Sequence, residues 1–185
     1  MTRPSWIAIL LCSLFLIPAI TSAESSCRCK PGQDCWPDKK SWDGLRAQLS
    51  GRLIQPSPDL NACVKDANSK ECSKAITAIH NPFHNENNSG DTQSLGWFNA
   101  WNSQPSVYTV VTENAEDVAA AVNFAREHHI RIAIKGTGHD YLGRSNAPDS
   151  LLIWTHHMRN VTYEDAFVPT GCENVKGVAA ITVGA

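Results

Sequence analysis

The sequence predicts an α+β fold in which an irregular, cysteine-rich region precedes a β-α-β unit and further strands. Residues 24–103 are polar and irregular in pattern, and they hold five of the six cysteines that follow residue 23. From residue 104 onward, a β-branched segment, an amphipathic helical pattern and a second strand-like segment follow one another. The 185 residues suffice for one domain of ordinary size. The formal net charge of −2 argues against a nucleic-acid-binding protein, which usually carries a basic surface.

Residues 1–23 have the layout of a secretory signal peptide. A basic residue near the start precedes an uncharged apolar run over 6–17, and small residues lead to a cleavage position after Ala23. The alternative is a membrane anchor, but the run is shorter than the roughly 20 residues that a spanning helix needs. We therefore expect a secreted protein that starts at Glu24 and has no membrane segment after cleavage.

Six cysteines remain after cleavage, and an even number in an exported chain predicts disulfide bonds without fixing their pairing. The alternative is that Cys27 and Cys29 bind zinc. Cys-x-Cys is not the usual spacing of a zinc site, however, so we expect no metal. Two sequons also suit a secreted protein and make Asn87 and Asn160 candidate glycosylation sites. The disulfide candidates are Cys27, Cys29, Cys35, Cys63, Cys72 and Cys172.

Two helices are predicted within the cysteine-rich region. One spans 41–50, where apolar residues recur at helical spacing, and the other spans 69–80. Pro82 ends the second helix. His80 and His84 stand four residues apart, as metal ligands on a helix do, but Pro82 between them interrupts a helix. We therefore expect both histidines to be exposed to solvent and not to bind a metal.

The β-α-β unit begins with a β-branched strand over 106–111. Asn114 is the expected N-cap of the helix that follows, with Asp117 in a position like that of a capping box. The helix is expected to end near His128, where an imidazolium suits the helix dipole. One apolar stripe along this helix is made of Val118, Ala121, Val122 and Ala125.

Three further strands are predicted. Residues 130–134 alternate with a period of two, which predicts a strand with one buried face. The apolar segments 151–154 and 178–183 are the other two. The last strand leads to an apolar carboxyl end, and a strand exposed in a half-made sheet leaves unpaired edges. This favours an incomplete domain over a whole one.

The segment from Lys135 to Ser145 is the candidate binding loop. Its glycines, Gly136, Gly138 and Gly143, let the backbone adopt positive φ and approach a ligand closely. Successive amides in such a turn can bind a phosphate group. The third glycine falls too late for the Rossmann pattern, and the Gly-Lys-Ser/Thr of a P-loop is missing. An ordinary glycine-rich turn is the alternative.

Three segments carry a resemblance to a known family: 110–112, the helix start at 115–118, and the loop at 135–145. Together they resemble the front of a PCMH-type FAD-binding domain, the domain of the vanillyl-alcohol oxidase superfamily. The segments 27–32 and 151–158 are similar to secreted, isoamyl-alcohol-oxidase-like members of the fungal berberine-bridge-enzyme-like branch. The resemblance implies a partial FAD-binding domain at 104–185.

The resemblance implies a role for each residue of the loop. His139 matches the histidine that many members bond covalently to the 8α-methyl group of the flavin, and an imidazole nitrogen is a suitable nucleophile. Asp140 and Tyr141 are acid-base candidates by type, but their position suits cofactor packing better. The implied partners are FAD, dioxygen and a small-molecule substrate. The implied cofactor-binding residues are Gly136, Thr137, Gly138, His139, Asp140, Gly143 and Ser145.

Three hypotheses about function remain open at this point. The first is an N-terminal fragment of a secreted FAD-dependent oxidase of an alcohol, a sugar or a similar small molecule, without its substrate domain and catalytic base. The second is a secreted cysteine-rich binding or structural module without cofactor. The third is a chain that binds FAD without catalysis. Family members with two covalent links use a cysteine well downstream of the histidine, so Cys172 is expected to be a disulfide partner instead.

Overall fold

The computed structural model describes residues 27–92, 104–140, 142–172 and 174–184. The predicted signal peptide and Tyr141 lie outside these described residues. Within the described ranges, no helix is both long enough and apolar enough to cross a lipid bilayer.

The described chain is a mixed α+β structure, as predicted. Its helices are α1 (Lys39–Gln48), α2 (Asn61–Lys65), α3 (Lys70–Ala78), α4 (Pro82–Glu86) and α5 (Ala115–Glu127). Its strands are β1 (Arg52–Ile54), β2 (Tyr108–Val111), β3 (Arg131–Lys135), β4 (Ser150–Trp154), β5 (Val161–Phe167) and β6 (Val178–Val183). The predicted β-α-β unit corresponds to β2, α5 and β3, and the two helices predicted in the cysteine-rich region correspond to α1 and α3.

Four strands form the main sheet in the order β1-β2-β4-β3. Strand β1 is antiparallel to β2, whereas β2 and β3 both lie parallel to β4. The parallel register pairs Val111 and Lys135 with Trp154. The carboxyl ends of three strands therefore meet at one edge of the sheet, which is where open α/β sheets bind their ligands.

Helices α1 and α5 cover one face of this sheet. Trp42 of α1 packs against Phe124 of α5, with ring centroids 4.7 Å apart, and against Tyr108 of β2 at 4.2 Å. Such aromatic contacts add to the stabilisation that burial of apolar area provides. The buried residues of this layer are Trp42, Leu45, Leu53, Val110, Ala121, Phe124, Ala125, Ile130, Leu151 and Ile153.

The start of α5 is fixed by the predicted cap and by a second contact that the sequence does not show. The side chain of Asn114 accepts from the amide of Asp117 at 2.9 Å. The carboxylate of Asp117 is fully buried and accepts from the amides of Glu113, Ser50 and Gly51 at 2.9, 2.7 and 3.1 Å. This carboxylate therefore ties the entry of β1 to the helix.

Strand β3 is covered on both faces, whereas one buried face was predicted. The helical layer covers Ile130 and Ile132 but does not reach Ile134, whose exposed fraction is 65%. The opposite face of the strand carries Ala133 and Lys135, and both are buried. That face is covered because the segment 85–91 and the loop after β3 pack over it, so the expectation of a single buried face was wrong.

Several short or polar elements escaped prediction. Strand β1 has three residues and helices α2 and α4 have five each, which is too short for a hydrophobic period to be visible. Strand β5 forms a separate antiparallel hairpin with β6, and nearly all of its side chains are exposed. A strand without a buried face shows no alternation in the sequence, so only β6 of this hairpin was predicted.

Four of the six candidate cysteines form two disulfides, Cys29–Cys35 and Cys63–Cys72. The amide of Cys29 also donates to the carbonyl of His129 at 3.0 Å, which ties the start of the described chain to the end of α5. Cys27 and Cys172 were also expected to form disulfides, but neither does so among the described residues. Both thiols lie exposed in irregular surface segments, where neither meets another thiol of the described chain.

Candidate functional site

The candidate binding loop leaves the carboxyl end of β3 beside the residues that follow β2 and β4. Its base is fixed to β4, because the indole Nε1 of Trp154 donates to the carbonyl of Gly136 at 3.1 Å and the amide of Thr155 donates to the carbonyl of Lys135 at 2.9 Å. The predicted loop therefore starts where β3 is hydrogen-bonded to the end of β4.

Lys135 is buried at the base of the loop. Its exposed fraction is 1%, and its ammonium nitrogen lies 5.6 Å from the centre of the Trp154 ring. The same nitrogen donates to the carbonyls of Asn85, Asn88 and Asp91, at 3.3, 2.6 and 2.6 Å. Burial lowers the pKa of Lys135 to about 8. One side chain thus holds the segment 85–91 against the loop.

The first half of the loop has the features of an anion-binding turn. Gly138 is buried with φ of +87°, and a Cβ atom added there would lie 2.6 Å from Cε of Lys135. The backbone hydrogen bonds of the loop fall in its second half, from Gly143 to Asp140 and from Asn146 to Gly143. The amides of Gly136, Thr137 and Gly138 donate to no acceptor among the described residues. Those three amides are available to a ligand.

His139 lies on the exposed side of the loop, next to Glu86 from the end of α4. The distance from Nε2 of His139 to Oε2 of Glu86 is 3.7 Å, which is an ion-pair distance when the imidazole is protonated. The Glu86 carboxylate is mostly covered, whereas almost half of the His139 side chain is exposed. The imidazole is therefore accessible to a large ligand and has a carboxylate behind it.

The second half of the loop is held by its own side chains. Asp140 pairs with Arg144 at 2.7 Å and accepts from the amide of Leu142 at 3.0 Å. The hydrogen bond from Arg144 holds the pKa of Asp140 below its usual value. Gly143 adopts φ of +69°, and Ser145 is buried. These residues shape the loop, so the contact with the cofactor expected for Asp140 stays a prediction, and Tyr141 is outside the described residues.

A cleft of about 480 Å³ opens beside the first half of the loop. His156 is buried at its wall, and Arg159 lies with Nη2 2.5 Å from Nε2 of this imidazole. Burial lowers the pKa of His156, so the imidazole is neutral at neutral pH and the guanidinium carries the positive charge. The cleft is lined by Glu86, Gly136, Thr137, His156, Met158, Arg159, Asn160, Val161, Val183 and Gly184.

The structure adds functional residues that the sequence reasoning did not select. Glu86, Lys135, His156 and Arg159 all contact the loop or border the cleft. Lys135 carries no local signal, because a lysine at a strand end is normally expected in solvent. His156 and Arg159 are close in sequence to β4, so the rule that ligands bind beyond parallel strand ends could have found them.

A second polar cluster is formed by Asp59, His84 and Asp91. Helix α3 ends at Ala78 and Pro82 begins α4, where its missing N–H is not needed, so His80 and His84 share no helix, as expected. His80 is exposed, whereas His84 is partly exposed and contacts the carboxylate of Asp59 through Nε2. Asp91 is buried beside them, and burial raises the pKa of its carboxyl group.

Comparisons with known proteins place these features in a family context. Residues 106–180 match a family of FAD binding domains. The FAD-linked oxidoreductase ZEB1 of Gibberella zeae is 34% identical, and an FAD-linked oxidoreductase of Arthroderma benhamiae is 32% identical. Each alignment covers 86% of this chain and 30% of the relative. The chain therefore spans less than a third of the length of these two proteins.

Two solved structures of VAO-type flavoproteins from Myceliophthora thermophila are similar to this chain. MtVAO615 is 31% identical with a TM-score of 0.68, and MtVAO713 is 27% identical with a TM-score of 0.66. The similar regions cover 86% and 84% of this chain, and 31% of each flavoprotein. At this identity and TM-score, both the sequence and the fold support the match.

The residues at the candidate site fit the cofactor that these matches indicate. The unpaired amides at 136–138 suit a pyrophosphate, the close approach of Gly138 to Lys135 leaves no room for a side chain, and the Arg159 guanidinium adds positive charge to the cleft. Residues 106–180 are therefore part of an FAD-binding domain of the kind found in VAO-type flavoproteins, and the cofactor of this domain is FAD.

Proposed function

We propose that this chain is the FAD-binding portion of a secreted oxidase of an alcohol, a sugar or a similar small molecule. The observation that carries the proposal is the turn at Gly136–Gly138, whose amides have no acceptor among the described residues and whose first two residues line the cleft. The chemistry that FAD supplies when bound is acceptance of a hydride from the substrate, followed by reoxidation by dioxygen with release of hydrogen peroxide.

The first half of the loop is proposed to bind the pyrophosphate of FAD. Amide N–H groups of Gly136, Thr137 and Gly138 donate to its oxygens, and Arg159 across the cleft balances their charge. Lys135 does not reach the ligand in this arrangement, because its three donors are already used by carbonyl groups. Its role is to hold the turn in a shape that needs no reorganisation on binding.

His139 is proposed to hold the flavin ring through a covalent bond from an imidazole nitrogen to the 8α-methyl carbon. One C–H bond of the methyl group would break, its proton leaving and its two electrons passing by way of the flavin to dioxygen, and the imidazole would lose its N–H proton. Glu86 lies 3.7 Å behind the imidazole and is placed to receive that proton. Such a bond keeps the cofactor in the protein outside the cell, where free FAD is scarce.

Secretion is part of the proposal. The disulfides Cys29–Cys35 and Cys63–Cys72 support it, because disulfides persist in oxidising compartments. Asn160 is exposed at the start of β5 and is open to glycosylation, whereas Nδ2 of Asn87 already donates to the carbonyl of Phe83 at 2.7 Å. The segments similar to the berberine-bridge-enzyme-like branch favour a fungal oxidase of that branch.

The proposal is tested on the full-length protein that contains this chain, purified from a culture medium. We expect a yellow protein that forms hydrogen peroxide with a primary alcohol or a sugar and keeps its flavin colour after acid precipitation. His139→Ala should release its flavin to the acid supernatant, and His80→Ala, at an exposed histidine outside the cleft, should not. A colourless protein would favour a module without cofactor. A yellow protein that forms no peroxide with any such substrate would favour binding without catalysis.

A further inference from the structure

We propose that Asp59, His84 and Asp91 form a binding site for one divalent transition-metal ion, of which Zn²⁺ is the best example. The three residues come from separate segments: Asp59 precedes α2, His84 lies on α4, and Asp91 follows α4. Each offers one ligand atom, and the three atoms all lie within 4.8 Å of one another. This site is distinct from the FAD cleft and does not depend on the proposed oxidase activity.

Asp91 supplies an independent reason to expect a ligand. Its exposed fraction is 8%, and its Oδ2 atom is fully buried without a hydrogen-bond partner among the described residues. Leaving a buried carboxylate oxygen without a partner costs free energy, so native proteins nearly always satisfy such atoms. A cation bound between Asp91 and its two neighbours satisfies this oxygen.

The surrounding hydrogen bonds orient both carboxylates towards a common centre. Oδ1 of Asp59 accepts from Nδ2 of Asn88 at 2.8 Å, while its Oδ2 contacts the imidazole of His84. Oδ1 of Asp91 accepts from the amide of Asp59 at 3.0 Å, which leaves Oδ2 unused. Outer contacts of this kind typically fix the ligands of protein metal sites.

The backbone around these residues is already fixed. Lys135 donates to the carbonyls of Asn88 and Asp91, and Nδ2 of Asn85 donates to the carbonyl of Ile79 at 3.0 Å. The segment that carries His84 and Asp91 is therefore held before any ion binds. Metal bonds of about 2.1 Å would place tetrahedral ligand atoms about 3.4 Å from one another, and the three ligand atoms already lie within 4.8 Å of one another.

The ligand set selects the class of ion. One imidazole nitrogen with two carboxylates suits Zn²⁺, whose catalytic and open sites have three protein ligands and a water molecule. Ca²⁺ and Mg²⁺ prefer oxygen ligands, so His84 disfavours them. Asp59 also borders a cleft of about 420 Å³. In the absence of metal, the contact between His84 and Asp59 takes the place of a metal bond.

The test measures zinc in the full-length protein after dialysis against buffer with a small excess of Zn²⁺, by inductively coupled plasma mass spectrometry. We expect one equivalent of bound zinc to be lost in His84→Gln and in Asp91→Asn, with affinity at this site reduced by about 100-fold or more. His80→Gln is the matched control and should keep that equivalent. Cys27→Ser and Cys172→Ser should also keep it, which separates the site from the two unpaired thiols.

Thermal unfolding gives a second readout that does not depend on metal counting. Zn²⁺ at 100 times the dissociation constant should raise the unfolding midpoint of the protein and of His80→Gln, but not that of His84→Gln. His84 is at the edge of the cluster, with 40% of its side chain exposed, so this variant is expected to fold even if Asp91→Asn does not. Equal zinc content in His84→Gln and His80→Gln would overturn the proposal. Binding of Ca²⁺ in preference to Zn²⁺ would do so as well.

Discussion

The ammonium nitrogen of Lys135 lies 2.6 Å from the main-chain carbonyl oxygen of Asn88, and this hydrogen bond joins the two segments that border the FAD cleft. Lys135 is the last residue of β3, and Asn88 follows the short helix that carries Glu86. The contact therefore sets the position of the carboxylate behind His139. It also supports the proposed metal site, because the same ammonium group donates to the carbonyl of Asp91.

Replacement of Lys135 by Met should strongly destabilise the protein. Methionine fills a similar volume but leaves three carbonyl groups without their buried donor. We expect the free energy of unfolding to fall by about 3 kcal/mol, since buried polar groups left unpaired cost about 1–3 kcal/mol each and some will reach water. Urea unfolding measures this loss. Lys176→Met changes an exposed lysine and should have almost no effect, so equal stability of the two variants would contradict the account.

Replacement of Asp117 by Ala should also destabilise the protein, but without a direct effect on the cleft. The buried carboxylate accepts from three amides, including those of Ser50 and Gly51 at the entry of β1. We expect a loss of about 3 kcal/mol in the free energy of unfolding, again because the amides lose their acceptor. Asp165→Ala, on the exposed strand β5, is the control in the same urea titration. A difference below about 1 kcal/mol between these variants would count against the proposed tie between β1 and α5.

The features that could be predicted from the sequence are those with a local cause. The Asn114 cap and the turn after β3 depend on neighbouring residues, and both are present in the structure. The burial of Lys135 has no such cause, because its partner Asn85 lies 50 residues away in the sequence. The approach of Glu86 to His139 likewise depends on how distant segments pack.

The polar cluster shows a second limit of sequence reasoning. Pro82 was expected to end a helix, and the histidines on either side of it were therefore separated from any common site. In the structure Pro82 starts α4, and His84 turns towards Asp59, which lies 25 residues earlier. A proline can end one helix or begin the next, and the sequence analysis predicted only the first role.

Protonation of His156 should lower stability at acid pH. Burial and the adjacent Arg159 place the pKa of His156 below 6.5, its ordinary value. The unfolded chain therefore binds more protons than the folded one as the pH falls below about 6.5, and stability is lost through this range until the folded-state pKa is passed. His156→Gln should reduce the loss of unfolding free energy between pH 7 and pH 5.

The matched measurement is urea unfolding of His156→Gln and of His80→Gln at both pH values. His157 has its pKa lowered in the same direction, mainly by burial, so part of the pH dependence should remain in His156→Gln. His80→Gln should retain the full dependence of the unaltered protein. An unchanged slope in His156→Gln would show that this imidazole is not held in its neutral form.

Replacement of Glu86 by Gln should slow covalent attachment of FAD without abolishing its binding. The carboxylate is 3.7 Å from Nε2 of His139 and is placed to receive the imidazole proton. Loss of a positioned base typically costs at least about 100-fold in rate, so we expect a decrease of that order. Acid-stable flavin is measured over time after FAD is added to the flavin-free protein. Glu127→Gln, at the exposed end of α5, should react at the original rate, and equal rates in both variants would remove Glu86 from this role.

The central claim is that the turn at Gly136–Gly138 holds FAD, and the flavin content of Gly138→Ala tests it most directly. Gly138 and Gly171 have nearly the same φ, +87° and +83°, so alanine at either position adds about 1–2 kcal/mol of backbone strain. Only at Gly138 does the new Cβ atom meet Cε of Lys135, at 2.6 Å, whereas it meets nothing at Gly171. Lys135 cannot move aside, because its ammonium group is held by three carbonyl groups.

The measurement is the ratio of flavin absorbance to protein in the two full-length variants, with near-ultraviolet circular dichroism as the check on folding. We predict that Gly171→Ala keeps the flavin content of the unaltered protein and that Gly138→Ala, although folded, loses most of it. A folded Gly138→Ala protein with full flavin content would contradict the account, because the cofactor would then be held without this turn.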